Sequence, residues 1–170
     1  EGVNLLLFLN NLYGAERKHP GRIDSRFCLE HPFSFSPYID AGLLAVDSKL
    51  VKAANRYFSN SLGLKKSSYY LGLSENVQAS WKFKNPFYSS AFLSLRSSME
   101  LNPRMKVFAA AGFYDLAVPC STVEFDLFQL ANTEELKSRI KVVNYKSGHM
   151  MYIHDESRKK LYTDLSGFFI

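Results

Sequence analysis

Val142-Val143-Asn144-Tyr145-Lys146-Ser147-Gly148-His149-Met150-Met151-Tyr152 decides how the chain is read. Together with Ile140 it opens as a strand, because β-branched side chains fit a pleated, half-buried surface and polar residues flank them. It breaks at Ser147-Gly148, a pair that marks a tight turn. The pattern therefore places His149 at the carboxyl end of a strand, held by rigid backbone and able to face a cleft. An imidazole has an unperturbed pKa of about 6.5, so it can both take and return a proton near neutrality. A loop histidine that packs or hydrogen-bonds locally fits the same position.

Upstream, Met105-Lys106-Val107-Phe108-Ala109-Ala110-Ala111 is an apolar run of strand length, consistent with a strand buried on both faces. It ends at Gly112-Phe113-Tyr114-Asp115. Pro119 then leads into a helix through Val123, Leu127 and Leu130. A final helix from about Glu156 carries Leu161, Leu165, Phe168 and Phe169, and Asp155-Glu156 favour its amino end. Strand, helix, strand, helix implies parallel strands joined by a crossover. Function in an open parallel sheet gathers at the carboxyl ends of the strands. Asp115 and His149 both stand there, and neighbouring strands lie ~4.8 Å apart, so the two side chains can meet. A carboxylate that accepts the Nδ1 proton of an imidazole leaves Nε2 as a base. Asp115 can equally cap the turn or helix that follows it.

The first hundred residues read as mainly helical. Asn4 to Tyr13 forms a short helix with Leu5, Leu6, Leu9 and Leu12 on one side, and Gly14 ends it. Arg17 to Pro37 is turn-rich. Within it, Gly21-Arg22-Ile23-Asp24-Ser25-Arg26-Phe27 places two arginines around an aspartate, which makes either an ion-pair knot or a site for an acidic substrate group. Asp40 to Leu62 is the longest helical pattern, closed by Gly63. Tyr69-Tyr70-Leu71 reads as a short strand. Ser74 caps a segment that leads to Trp81, and Phe87 to Leu101 is a helix stopped by Asn102-Pro103. The pattern divides the chain into a mainly helical, cap-like region over 1–103 and a region of alternating strands and helices over 104–170.

Composition excludes several classes. At 46% hydrophobic and 22% charged residues, 170 residues can bury one sizeable core and are not disordered. The net charge of +5 is scattered rather than blocked, and no nucleic-acid motif accompanies it. No run approaches the ~20 apolar residues of a membrane span. The longest, Leu5 to Leu9, lacks a preceding basic residue and so does not read as a signal peptide. Cys28 and Cys120 give neither metal spacing nor a disulfide framework, although they could pair. His154 reads as a surface residue at the start of the last helix, and a metal pair with His149 has no supporting ligand cluster. The chain begins at Glu1, which fits a fragment or a processed product.

Gly112-Phe113-Tyr114-Asp115-Leu116-Ala117-Val118-Pro119 and Ser147-Gly148-His149-Met150-Met151-Tyr152 resemble the Asp and His motifs of the serine carboxypeptidase family in its bacterial form. The Gly21–Phe27 loop and the helix after it resemble the middle of those proteins, so the similarity runs from about Gly21 to Ile170. The resemblance implies the carboxy-terminal part of an α/β-hydrolase fold, the last parallel core strands plus a helical cap, incomplete on its own. It implies hydrolysis of the C-terminal peptide bond through an acyl-enzyme, with Asp115 and His149 as triad residues, Met150 near the substrate's penultimate side chain, and no cofactor. A secreted or periplasmic address is the one such enzymes favour. The nucleophile is the departure: the 170 residues contain no Gly-x-Ser-x-Gly. Gly72-Leu73-Ser74-Glu75-Asn76 is a half-match that reads better as a helix cap. The implied partners are a peptide substrate and an amino-terminal half that carries the serine. Half a sheet also leaves an open edge, which favours dimerisation or domain swapping. An esterase or acyltransferase on the same scaffold, or a non-catalytic interaction module, fits the pattern as well.

Overall fold

A computed structural model describes residues 18–30, 40–64, 69–82 and 91–169. The expected Asn4–Tyr13 helix and the first turn of the expected Phe87–Leu101 helix lie outside them. The chain mixes helices with two small sheets. Strands β1 (Lys18–Pro20) and β2 (Cys28–Glu30) pair antiparallel. Helices α1 (Ala41–Asn60), α2 (Glu75–Ser80) and α3 (Ala91–Leu101) follow. Then come β3 (Val107–Gly112), α4 (Cys120–Leu130), α5 (Glu134–Ser138), β4 (Ile140–Tyr145), a 3-10 turn (Met151–Ile153) and α6 (Asp155–Phe169).

The expected parallel pair is present. β3 and β4 align in register from Val107 opposite Ile140 to Gly112 opposite Tyr145. A parallel pair needs a crossover, and α4 and α5 supply it. Side chains alternate across a strand, so Phe108 and Tyr145 share one face. There Phe108 meets Phe168 of α6 edge-on at 5.4 Å between ring centroids. Tyr145 donates from its hydroxyl to Asp164 Oδ2 at 2.9 Å. Asn144 points to the other face and donates to Glu124 of α4. Both faces are therefore overlaid by a helix, but Val107 to Ala110 stay half-buried and burial is complete only at Ala111 and Gly112. The reason is width: among the described residues each strand has one neighbour.

A core of Met99, Leu130, Ala131 and Leu136, flanked by Phe92, Leu95, Met105, Val107 and Ile140, closes the amino-terminal end of this sheet. Arg139 locks it, donating from Nη1 to the carbonyls of Met99 (2.8 Å), Asn102 (3.1 Å) and Met105 (3.3 Å). A cation on the last carbonyls of a helix completes its hydrogen bonding and suits its dipole. The opposite, carboxyl end of β3 and β4 is left for a site.

Asp40 is the cap of α1, accepting from Gly42 N at 2.9 Å and Leu43 N at 3.1 Å. Its other oxygen accepts from Arg22 N at 2.6 Å and Ile23 N at 3.3 Å. One buried carboxylate thus fixes both a helix start and the loop between β1 and β2. Gly63 ends the helical stretch with a φ of 64°. The short strand expected at Tyr69-Tyr70-Leu71 is absent. The carboxamide of Asn55 takes both backbone groups of Tyr70, from Nδ2 to its carbonyl at 3.0 Å and from its amide to Oδ1 at 2.9 Å. A side chain does there what a neighbouring strand would do. No helix among the described residues is long and apolar enough to cross a membrane.

Candidate active site

The two strands run on as paired loops. Phe113 N donates to Tyr145 O and Tyr114 N to Ser147 O, each at 3.0 Å. The contact is so close that a Cβ on Gly112 would run into the carbonyl oxygens of Ser147 and Gly148. Hydrogen at that position is what lets the aspartate loop and the histidine loop lie side by side.

Asp115 is 4% exposed, and its two oxygens divide the work. Oδ1 accepts from Ala117 N and Val118 N, each at 2.9 Å. Oδ2 lies 2.7 Å from His149 Nδ1. Asp115 thus caps the turn with one oxygen and meets the imidazole with the other. Against an ionised carboxylate, which only accepts, Nδ1 is the donor, and Nε2 is the ring nitrogen left for another partner. The imidazole is half exposed. The arrangement holds the imidazole by Nδ1 and leaves Nε2 without a hydrogen bond among the described residues. Met150, the next residue, is buried and precedes the 3-10 turn.

The β1–β2 loop braces the histidine. Ile23 O accepts from His149 N at 2.8 Å, and Asp24 Oδ2 accepts from Gly148 N at 3.1 Å. Asp24 is 2% exposed and receives a fork from Arg26, with Nε at 2.9 Å on Oδ1 and Nη2 at 2.6 Å on Oδ2. Of the two arginines expected around Asp24, Arg26 makes the ion pair with it. Arg26 also lies over the Tyr114 ring at 4.8 Å and reaches Lys146 O at 3.4 Å. On the aspartate side, Arg22 O accepts from Leu116 N and Ala117 N, and Tyr114 O accepts from Ser25 N. One seven-residue loop grips both strand-end loops.

Burial works against the charge of Asp24, but the Arg26 guanidinium and backbone amide, with help from Gly148 N, outweigh it and hold the carboxyl below its usual 3.8. A depressed carboxyl adds stability that is complete above its unfolded value and disappears as pH falls through the folded value. The stability gap between the parent chain and Asp24→Asn is expected to be wide at pH 7 and to narrow steadily below about pH 4. Urea midpoints measured across pH check this.

The remaining candidates fall elsewhere. Ser74 Oγ accepts from Val77 N at 3.4 Å as a cap of α2, and no hydrogen bond among the described residues joins it to His149. His154 caps α6: its Nδ1 accepts from Ser157 N at 3.3 Å and lies 2.9 Å from Ser157 Oγ. Cys28 and Cys120 are both unpaired thiols. Among the described residues no group of three His, Cys, Asp or Glu side chains could hold a metal ion. Sequence reasoning missed that Asp24 reaches Gly148. Nothing local signals a contact across 124 residues.

No protein-family model, curated protein or solved structure matches this chain.

Proposed function

We propose that this chain supplies the general base and the orienting carboxylate of a serine carboxypeptidase, on the last strands and cap of an α/β-hydrolase fold. The observation that carries the reading is the 2.7 Å contact between a buried, doubly anchored Asp115 and the outward-facing ring of His149. In this reading a serine from polypeptide beyond the 170 residues attacks the carbonyl of the C-terminal peptide bond. His149 Nε2 takes its proton and then passes it to the leaving amine, while Asp115 stabilises the imidazolium. Water repeats the sequence on the acyl-enzyme. Met150, beside the histidine, would face the substrate's penultimate side chain.

A serine-directed fluorophosphonate probe tests the assignment. The 170-residue chain alone is expected to stay unlabelled, because His149 has no serine to activate. Labelling at Ser74 would overturn the reading. Joined to the segment that carries the nucleophile, the protein is expected to release the last residue of a blocked dipeptide. Cleavage of an ester or acyl transfer without peptide hydrolysis would assign an esterase or acyltransferase to the same pair.

A further inference from the structure

We infer that Asp24, forked by Arg26, is a positioning residue for His149: it fixes the Gly148 amide and so sets the imidazole on Asp115. The inference rests on the reading of Asp115 and His149 as a catalytic pair. The histidine loop hangs between two strand-end residues on one side and the β1–β2 loop on the other. Consecutive amides, Gly148 N and His149 N, both donate to that loop, one to the Asp24 carboxylate and one to the Ile23 carbonyl. The fit has no slack. A Cβ on Gly148 would sit 2.5 Å from Asp24 Cβ and 2.5 Å from Ile23 O.

The carboxylate is well suited to the task. It is 2% exposed, and the bidentate Arg26 fork prevents it from rotating away from Gly148. Arg26 is itself held against Tyr114, on the aspartate loop, and against Lys146, just ahead of the histidine turn. The knot therefore touches both halves of the pair without touching either reacting side chain. A rotation of Gly148 would turn the His149 ring, and catalytic constellations tolerate only about 0.5 Å of such error.

Asparagine at position 24 has one oxygen where the aspartate has two; with that oxygen toward Gly148 N, its NH2 would face the Arg26 Nε and backbone N that Oδ1 now accepts from, so the fork that fixes the side chain is lost. In the 170-residue chain, the His149 Nδ1 proton is expected to give a resolved, far-downfield NMR signal shielded from water by Asp115. Asp24→Asn is expected to accelerate its exchange with water by about tenfold or more, while the β3–β4 backbone amides keep their protection. Arg26→Lys retains the charge and loses the fork. It alters a side chain that is one-third exposed, and is expected to give a smaller acceleration in the same direction. An unchanged Nδ1 exchange in a folded Asp24→Asn chain overturns the inference. If that variant does not fold, an unchanged exchange in Arg26→Lys overturns it. Equal acceleration at His149 and throughout β3–β4 also overturns it, since that is the mark of a merely structural ion pair. Absence of the Nδ1 signal in the parent chain is a different result: it removes the Asp115–His149 pair itself.

Discussion

Asp115→Asn is expected to leave the fold standing and to abolish the site. The asparagine Oδ1 can still accept from Ala117 N and Val118 N, the two bonds that hold the turn. Its Nδ2, however, would face His149 Nδ1 where a carboxylate oxygen now lies at 2.7 Å. Two donors cannot share that gap. The imidazole must shift its proton to Nε2, and a protonated Nε2 cannot take one from a serine. In the proposed serine carboxypeptidase, turnover is expected to fall about 10⁴-fold, the loss that a reversed tautomer brings in triad enzymes. In the 170-residue chain, the 15N shifts of the His149 ring are expected to exchange the roles of the two nitrogens. Asp115→Ala gives a contrasting result. It leaves Val118 N without its acceptor, while Ala117 N keeps the Arg22 carbonyl, and is expected to cost about 1–3 kcal/mol. A ring tautomer that stays the same in Asp115→Asn would mean that the carboxylate does not govern the histidine.

Gly112→Ala is expected to be the most damaging methyl in the sheet. The new Cβ would meet the Ser147 and Gly148 carbonyl oxygens, and these belong to backbone that cannot swing aside. Ser147 O is already held by Tyr114 N, and Gly148 N by Asp24. The strands must therefore part at their carboxyl ends. A cost of about 3 kcal/mol is expected, or roughly 6–12 °C in the melting temperature of a domain this size. Gly167→Ala provides the control. Gly167 lies in α6, and its Cβ would meet nothing within 4 Å. There, alanine is expected to stabilise by about 0.5–1 kcal/mol through helix propensity. Thermal melts of the two variants by circular dichroism should move in opposite directions. Equal shifts would mean that the loops at the strand ends are not closely apposed.

What could be read from residues alone was whatever depends on near neighbours. Ile140 to Val143 and Val107 to Ala111 announced strands by composition, and glycine at 112 and 148 announced where they stop. Asp115 and His149 could be paired on paper because parallel strands bring their ends together. Asp40 and Gly63 bracket α1 as helix-boundary residues do. One failure comes from a side chain acting on distant backbone, and the other two have local causes. Asn55 replaced a strand at Tyr70. Three-residue strands of Lys18–Pro20 and Cys28–Glu30 are too short to show an alternating pattern. The helix Glu134–Ser138, begun by Thr133 accepting from Leu136 N at 3.2 Å, was legible as a cap signal and went unread.

The brace on the histidine loop also bears on how the chain folds. Asp115 and His149 close a segment of 34 residues, whereas Asp24 and Gly148 close one of 124. Loop-closure entropy makes the longer closure dearer by about 1.1 kcal/mol. The crossover unit can therefore collapse with Asp115 and His149 already together, and the brace snaps on afterwards. In stopped-flow refolding, a Trp reporter placed at Tyr114 is expected to show a later phase than the β3–β4 amides followed by pulsed exchange. Simultaneous phases would mean that the long closure belongs to the nucleus.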